Sequence, residues 1–251
     1  MGRQSGVIRI RGKVGNLTFT QSEDGHEVRL STSLNGDKMR KDRRFIRTRE
    51  NWAEFARAGK AAKLIRQAFA IQTRQISDRR GYPRLVTQTL KVVKSDPVNG
   101  RGERVITQGD FNYLLGYEFN QRQTMSGVLK VPVDVAIDPA AGTVNIDLPE
   151  MLPEVGVAAP EGTTHIRLAA AAAELDWENL VFTNDVVEST DILYGNQTEA
   201  PQTLSLTLPA GSTHTLAVAL GVWFYQEVNG QLYILNDGVK NAMALVGIDN
   251  A

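Results

Sequence analysis

Residues 215–235 read TLAVALGVWFYQEVNGQLYIL and contain the strongest short-range structural signal in the chain. Two runs rich in β-branched and aromatic residues, 215–227 and 231–235, are separated by the pair Asn229-Gly230. An Asn-Gly pair between two such runs favours a two-residue type I′ turn, because both residues tolerate positive φ. We therefore predict a β-hairpin over this segment.

Strand-like runs continue through the rest of the C-terminal half, where turn residues separate them. For example, residues 139–142 (PAAG) separate the run 128–138 from the run 143–148. Six to eight short strands of this kind favour a β-sandwich. We predict an α+β fold with an N-terminal β-hairpin arm, two or so α-helices, and a C-terminal antiparallel, Ig-like β-sandwich. The other strand candidates are residues 164–172, 179–184, 203–208 and 244–248.

The middle of the chain carries the helical signal. Thr48 is a good N-cap, and the apolar residues that follow it recur at spacings of three and four, which predicts a helix with one buried stripe. A second helix is predicted to start near Pro83 and to end before Pro97. The predicted buried stripe of the first helix consists of Phe55, Ala58, Ala62, Ile65 and Phe69.

The N-terminal segment 7–31 alternates β-branched with basic residues, as in Ile8-Arg9-Ile10-Arg11. It predicts a strand pair with turns at Gly15-Asn16 and Asp24-Gly25, one apolar face and one cationic face. A sheet of this size is marginally stable by itself, so we expect it to lean on another surface.

A formal net charge of zero hides a strong division of charge along the chain. Residues 1–130 contain 26 Lys and Arg against 12 Asp and Glu, whereas residues 131–251 contain 2 against 16. We therefore predict a basic hairpin-plus-helix region, 1–127, and an acidic β-sandwich domain, 128–251. Such asymmetry between halves points to an interaction surface.

The sequence carries no catalytic signature. The absence of cysteine excludes disulfides, thiolate metal sites and a cysteine nucleophile. No phosphate-binding glycine loop, nucleophile elbow or paired-histidine zinc helix occurs. His165 and His214 could meet across strands and bind a metal with Asp176 or Glu174, but a histidine on a strand is more often an ordinary hydrogen-bonding residue. We predict a protein that is not an enzyme and has no metal and no cofactor.

No apolar run approaches the roughly 20 residues that a membrane-spanning helix needs. The N-terminal segment is interrupted by arginines, so it does not have the apolar region of a secretory signal. We expect no membrane partner and cytoplasmic synthesis without a signal peptide, as a component of a particle such as a virion.

Three segments resemble a family of uncharacterised proteins common in Bacteroidota genomes: residues 12–19 (GKVGNLTF), residues 45–55 (FIRTRENWAEF) and, more loosely, residues 224–230 (FYQEVNG). The second segment has the pattern Phe-x-x-Thr-Arg-Glu-Asn-x-x-Glu-Phe. The resemblance implies an N-terminal hairpin, a helical middle and a sandwich-like C-terminal part. It implies no reaction and no catalytic residues.

These observations predict a structural subunit that self-assembles into a homopolymeric tube, filament or virion layer, through complementary basic and acidic halves and an N-terminal β arm. The simpler alternative is that the two charged halves pair within one monomer. Nucleic-acid binding by the basic segment 38–49, with Phe45 stacking on a base, is the other alternative. The predicted basic contacts are Arg9, Arg11, Lys13, Arg43, Arg44, Arg47 and Arg49, and the predicted acidic contacts are Asp134, Asp138, Glu150, Glu154 and Asp185.

Overall fold

The computed structural model describes residues 2–4, 9–22, 25–30, 36–76, 78 and 80–250. The chain divides into two compact units, Met1–Arg49 and Glu50–Ala251, which we call the arm unit and the main unit. The change in charge near residue 128 therefore falls inside the main unit rather than at the division between the two units.

The arm unit contains a small antiparallel sheet. Its strands lie in the order β1-β4-β3-β2. A short helix, α1 (Gly36–Lys41), and a 3-10 turn (Arg43–Phe45) follow the sheet. Arg9 and Arg11 lie outside the strands, and the predicted turn residue Asp24 lies outside the described residues. The strands are β1 (Gly2–Arg3), β2 (Gly12–Val14), β3 (Leu17–Ser22) and β4 (Gly25–Leu30).

Three helices follow along the chain: α2 (Ile46–Ala68), α3 (Ala70–Thr73) and α4 (Gly81–Lys94). Thr48 is not the N-cap, because the 3-10 turn before Ile46 runs directly into α2. Helix α2 packs on α4 through alanines, and the buried Thr89 hydroxyl donates a hydrogen bond to the carbonyl of Ala58 at 3.0 Å. Among the described residues, no helix is both long and apolar enough to cross a membrane.

An irregular segment connects α4 to the sheets. The buried carboxylate of Asp96 organises it by accepting N–H groups of Val98, Asn99 and Val105. The predicted strand over 128–138 begins only at Asp134, because Thr124 caps a short helix, α5 (Met125–Val128), by accepting the N–H of Gly127.

The main unit is built around one large antiparallel sheet. Strand β11 lies between β7 on one side and both β12 and β13 on the other, and β7 pairs in turn with β8 and β9. The predicted hairpin at Asn229-Gly230 is confirmed, since both residues have positive φ, 53° and 77°. The strands are β7 (His165–Asp176), β8 (Val181–Glu188), β9 (Ile192–Leu193), β11 (Thr215–Val228), β12 (Gln231–Ile234) and β13 (Ala242–Asn250).

A second, three-stranded sheet covers one face of the large sheet. It consists of β5 (Asp134–Asp138), β6 (Thr143–Leu148) and β10 (Gln202–Thr207), in the order β10-β6-β5. Helix α6 (Pro153–Gly156) follows β6. The two sheets enclose one of the two core clusters. The predicted α+β class with a C-terminal antiparallel β-sandwich is therefore confirmed.

The helices cover the opposite face of the large sheet. Along β7, Ala169, Ala171 and Ala173 belong to the core shared with α2 and α4, whereas Ala170 and Ala172 belong to the core shared with the small sheet. This alternation follows from the two-residue period of a strand. The main unit thus has three layers, and the large sheet lies between its two core clusters.

We expect Ala171→Leu to destabilise the main unit by about 1–3 kcal/mol, because the added atoms must displace the packed helical layer. Ala136→Leu is the matched control, since Ala136 lies on an exposed strand position and should change stability by less than about 0.5 kcal/mol. Urea unfolding measures both. Equal effects would contradict the two-sided burial of β7.

Candidate assembly surfaces

The arm sheet has one apolar face. Cross-strand partners share a face of a sheet, so the register Val14↔Leu17↔Leu30 places three apolar side chains in one row across β2, β3 and β4. The next row on that face contains Phe19 opposite Val28. The first row is open to solvent: Val14, Leu17 and Leu30 are 57%, 40% and 73% exposed.

No described residue of the arm unit is fully buried. Phe19 and Val28 are half-buried, and the residues of α1 are exposed or half-buried. Removal of apolar surface from water is the main favourable contribution to folding, so side chains that stay open to solvent add little stability to the sheet. The arm sheet therefore has the pattern for burying a face, but it has no core of its own among the described residues.

The predicted basic contacts of the arm fall into two groups. Arg11, Lys13, Arg43 and Arg47 have exposed side chains, as a contact surface requires. Arg9 is also exposed, and its Nη1 atom lies 3.3 Å from Nε2 of His26.

Arg44 and Arg49 already have partners within the arm unit. The Arg44 side chain donates hydrogen bonds to the carboxylate of Asp42, and the Arg44 backbone N–H donates another. These hydrogen bonds lower the pKa of Asp42 to about 2. The half-buried Arg49 donates to the carbonyls of Met39 and Asp42 at 3.0 and 2.8 Å. These two arginines therefore hold the segment before α2 in place.

One sequence prediction for helix α2 is wrong. Phe55, predicted in the buried stripe, is 57% exposed, whereas the neighbouring Glu54 is 1% exposed. Glu54 accepts the backbone N–H of Gly102 at 2.8 Å and lies 3.9 Å from Arg104. Trp52, three residues before Phe55, is 45% exposed. Residues three apart are neighbours on a helix, so Trp52 and Phe55 form an exposed aromatic pair.

Four of the predicted acidic contacts, Asp134, Asp138, Glu150 and Glu154, are exposed. The fifth, Asp185, is half-buried and accepts the N–H groups of Val186 and Thr207, both at 2.8 Å. Asp185 thus ties β8 to the edge strand β10 and has mainly a structural role.

Two of these acidic residues border an exposed apolar surface. Leu152 and Val155 are 40% and 69% exposed and lie three residues apart, with Glu150 and Glu154 beside them. The Glu154 N–H donates to the carbonyl of Gly195 at 3.2 Å. Leu193, which is 52% exposed, does not join this surface, because it pairs with His165 and so faces the helix-covered side of the large sheet. We call Glu150, Leu152, Glu154 and Val155 the acidic apolar patch.

An exposed lysine lies beside the acidic apolar patch, since the backbone N–H of Lys130 donates to the carbonyl of Gly156 at 2.8 Å. Arg167 and Lys240 are the only basic residues after Lys130. Arg167 is paired with Glu188 and Asp191, and although burial opposes its charge, these hydrogen bonds raise its pKa. In the part of the chain that the structure describes, Glu150 and Glu154 have no ion-pair partner.

The histidines do not form the metal site considered above. His165 pairs with Tyr225 at one end of the β7–β11 ladder, whereas His214 precedes the Thr215↔Leu175 pair at the other end. Within the described residues, no group of three or more potential metal ligands occurs.

A cavity of about 330 Å³ lies beside His214 and Trp177, and several of its polar groups hydrogen-bond to one another. The indole N–H of Trp177 donates to the Thr215 hydroxyl at 2.7 Å. Asp176 accepts N–H groups of Asn179 and Glu178, and these hydrogen bonds lower its pKa. These hydrogen bonds are of the kind that stabilise a turn rather than bind a ligand.

Comparison of the chain with protein-family models, curated proteins and solved structures found no match.

Sequence reasoning missed the aromatic pair and the acidic apolar patch. A general rule points to both, because large exposed apolar groups clustered on a surface mark interaction sites. Hydrophobic periodicity does not separate them from core residues, since Phe55 falls at a spacing that fits the buried stripe.

We expect Phe55→Ala to lower the free energy of unfolding by less than about 1 kcal/mol, because Phe55 is largely exposed. Phe69→Ala is the matched control on the same helical stripe. Phe69 is fully buried, so its loss should cost about 3–5 kcal/mol. Chemical denaturation of both variants measures this difference, and an equal loss for Phe55 would place its ring in the core.

Proposed function

We propose that this protein is a non-catalytic structural subunit that assembles with copies of itself through its arm unit. The observation that carries the proposal is the open apolar row Val14, Leu17 and Leu30 on a sheet in which no described residue is fully buried. Contact with another surface would remove this row from water and so stabilise the sheet. Without cysteine, the arm unit has no disulfide to replace that surface.

Charge supports a second copy of the chain as the partner. The arm unit has twelve Lys and Arg against five Asp and Glu, a net charge of +7, so the main unit has −7. Opposite charges on the two units favour contact between the arm of one copy and the main unit of another. A contact between two different surfaces of identical subunits propagates into a tube, filament or virion layer unless it closes into a ring.

The size of the open row sets the expected strength of the contact. Complete burial of a Val or Leu side chain contributes about 1.5–3 kcal/mol, but association also costs several kcal/mol of lost rigid-body freedom. Three such side chains alone therefore give a weak contact. Assembly should depend on protein concentration and on the charged residues around the row.

Nucleic-acid binding by residues 38–49 is the second candidate. The exposed side chains of Lys38, Lys41 and Arg43 favour it. Phe45 is half-buried, and Arg44 and Arg49 are engaged within the arm unit, so fewer groups are available than the sequence suggested. Co-purified nucleic acid, seen as raised absorbance at 260 nm that falls with salt, would favour this candidate.

We expect the double variant Val14→Asn, Leu30→Asn to shift the protein toward the 27.6 kDa monomer, because it makes the open row polar. Thr18→Asn, Thr20→Asn places the same residue on the opposite face of the sheet and should leave assembly intact. Sedimentation velocity over a range of concentrations measures both. A wild-type protein that stays monomeric at every concentration and salt would refute the proposal.

Assembly should also weaken as sodium chloride is raised from about 0.05 to 1 M, because the screening length falls to about 3 Å. The mean mass in sedimentation velocity reports this change. If mass is constant or rises with salt, the apolar row acts alone and charge complementarity has no part in the contact.

A further inference from the structure

Charge is divided within the main unit as well as between the two units. Residues 50–130, which include α3, α4 and most of α2, contain 14 Lys and Arg against 7 Asp and Glu, whereas residues 131–251 contain 2 against 16. The helices and the small sheet cover opposite faces of the large sheet. The main unit therefore has a basic helical layer on one side and belongs to the acidic part of the chain on the other.

The outer face of α2 combines aromatic with basic side chains. Residues three and four apart are neighbours on a helix, so one stripe runs along this face through Trp52, Phe55, Gly59, Lys63 and Arg66. Lys63 and Arg66 are exposed, and neither has an ion-pair partner among the described residues. The stripe therefore has an aromatic end and a cationic end.

No carboxylate lies on this stripe. The two acidic residues of α2 are Glu50, which pairs with Arg101, and Glu54, which is buried on the inner side. The indole N–H of Trp52 has no hydrogen-bond partner in the part of the chain that the structure describes. An acidic partner surface would therefore complement both ends of the stripe.

A groove of about 480 Å³ opens at one end of the small sheet, where β5 begins and β6 ends. The prolines and aspartates that line it are exposed, whereas its leucine is buried in the core of the sandwich. The groove therefore has apolar walls and a carboxylate on each strand. We call it the proline groove, and its lining residues are Pro132, Val133, Asp134, Asp147, Leu148 and Pro149.

The two carboxylates of the proline groove lie directly opposite each other, because Asp134 pairs with Asp147 in the β5–β6 ladder. Like charges at opposite positions are destabilising. Asp147 accepts the Thr203 hydroxyl, whereas Asp134 has no hydrogen-bond or ion-pair partner among the described residues. Lys130, a nearby cation in sequence, donates to the carbonyl of Ser126 at 3.1 Å. A donor from another molecule would therefore stabilise this pair of carboxylates.

We infer that the outer stripe of α2 docks on the proline groove and on β5 of a second copy. Trp52 and Phe55 fill the groove, where the Trp52 indole N–H donates to a carboxylate, and Lys63 pairs with Asp138. This inference rests on the proposed self-assembly, but the contact joins two main units and does not use the apolar row of the arm.

The spacing of groups along the two surfaces supports this pairing. Phe55 and Lys63 are eight residues apart on a helix, which is about 12 Å. Asp134, at the groove, and Asp138 are four residues apart on a strand, which is about 13 Å. Both aspartates are exposed on the outer face of β5, and Asp138 uses one oxygen to accept the N–H of Ala141. A helix that lies along β5 thus places its aromatic end at the groove and Lys63 at Asp138.

The position of the two surfaces determines how the contact is satisfied. Because the large sheet lies between the helical layer and the small sheet, the stripe and the groove of one chain cannot touch each other. Each copy therefore offers a stripe to one neighbour and a groove to another. A contact between two different surfaces of identical subunits propagates unless it closes into a ring.

Reversal of the charge pair tests the inference. Lys63→Asp and Asp138→Lys should each raise the concentration needed for half-maximal assembly by about tenfold or more, because each places like charges across the contact. The double variant Lys63→Asp, Asp138→Lys should assemble like the wild type. Lys91→Asp, at an exposed lysine of α4, is the matched control and should leave assembly unchanged. Sedimentation velocity at low salt measures all four proteins.

The absence of cysteine permits a direct test of proximity. The double variant Lys63→Cys, Asp138→Cys should give a ladder of covalent oligomers on a non-reducing gel after mild oxidation. A disulfide within one chain is excluded, since the large sheet separates the two positions. The pair Lys91→Cys, Asp138→Cys is the control and should give no extended ladder.

The outcomes separate this inference from the proposed role of the arm. If both single reversals assemble like the wild type while Val14→Asn, Leu30→Asn does not, the arm is a contact and the inference is overturned. If the double reversal restores assembly and Val14→Asn, Leu30→Asn assembles like the wild type, the inference holds and the arm is not needed.

Other partners of the stripe give different results. If Lys63→Asp weakens assembly and Asp138→Lys does not rescue it, the stripe binds another surface of the neighbouring copy. If Lys63→Asp lowers the amount of co-purified nucleic acid and leaves the mass unchanged, the stripe binds nucleic acid through base stacking and phosphate contacts. Either result overturns the inference, and a wild-type protein that is monomeric throughout refutes both the inference and the proposed function.

Discussion

The pairing of β7 with β11 is the contact on which the main unit depends. The ladder is continuous from Thr215↔Leu175 to Tyr225↔His165, and both faces of this strand pair are covered, one by helices and the other by the small sheet. Small residues make such close layering feasible. At Gly221, an added Cβ would lie 2.5 Å from the buried Trp223 ring, so the glycine provides the space that this ring fills.

The arm unit has a related pattern without the corresponding burial. Its strands carry apolar residues on one face, yet the row Val14, Leu17 and Leu30 remains open. The two units therefore differ in burial: both faces of the large sheet are covered, whereas no described residue of the arm sheet is fully buried. An amphipathic sheet with an open apolar row gains stability when another surface covers that row. This gain supports assembly more directly than the division of charge does.

Sequence patterns predicted the features that depend on neighbouring residues. Alternation and the Asn229-Gly230 pair identified the strands and the hairpin, and the spacing of Ala58, Ala62 and Ile65 identified the inner face of α2. The strand predicted over 164–172 is confirmed as β7 although alanine favours helices, because the partners on both sides hold Ala169–Ala173 in a strand.

Features that depend on distant partners could not be predicted. Glu54 is buried because Gly102 and Arg104 lie beside it, and local periodicity carries no information about residues 48 and more positions away. The internal contacts of Arg44, Arg49 and Asp185 were missed for the same reason. The sequence shows that a side chain is charged, but it does not show whether that side chain faces solvent or another group of the protein. The exposure of Leu152 and Val155 was missed for the same reason, because it depends on what the rest of the fold places over this segment.

Hydrogen–deuterium exchange of the arm strands β2 to β4, measured at several protein concentrations, tests the central claim most directly. If the arm sheet is completed by another copy, protection of its amides should increase with concentration, while β7 and β11 stay strongly protected throughout. Strong protection of the arm amides that is independent of concentration would show that the arm is stable within one chain, and it would contradict the account.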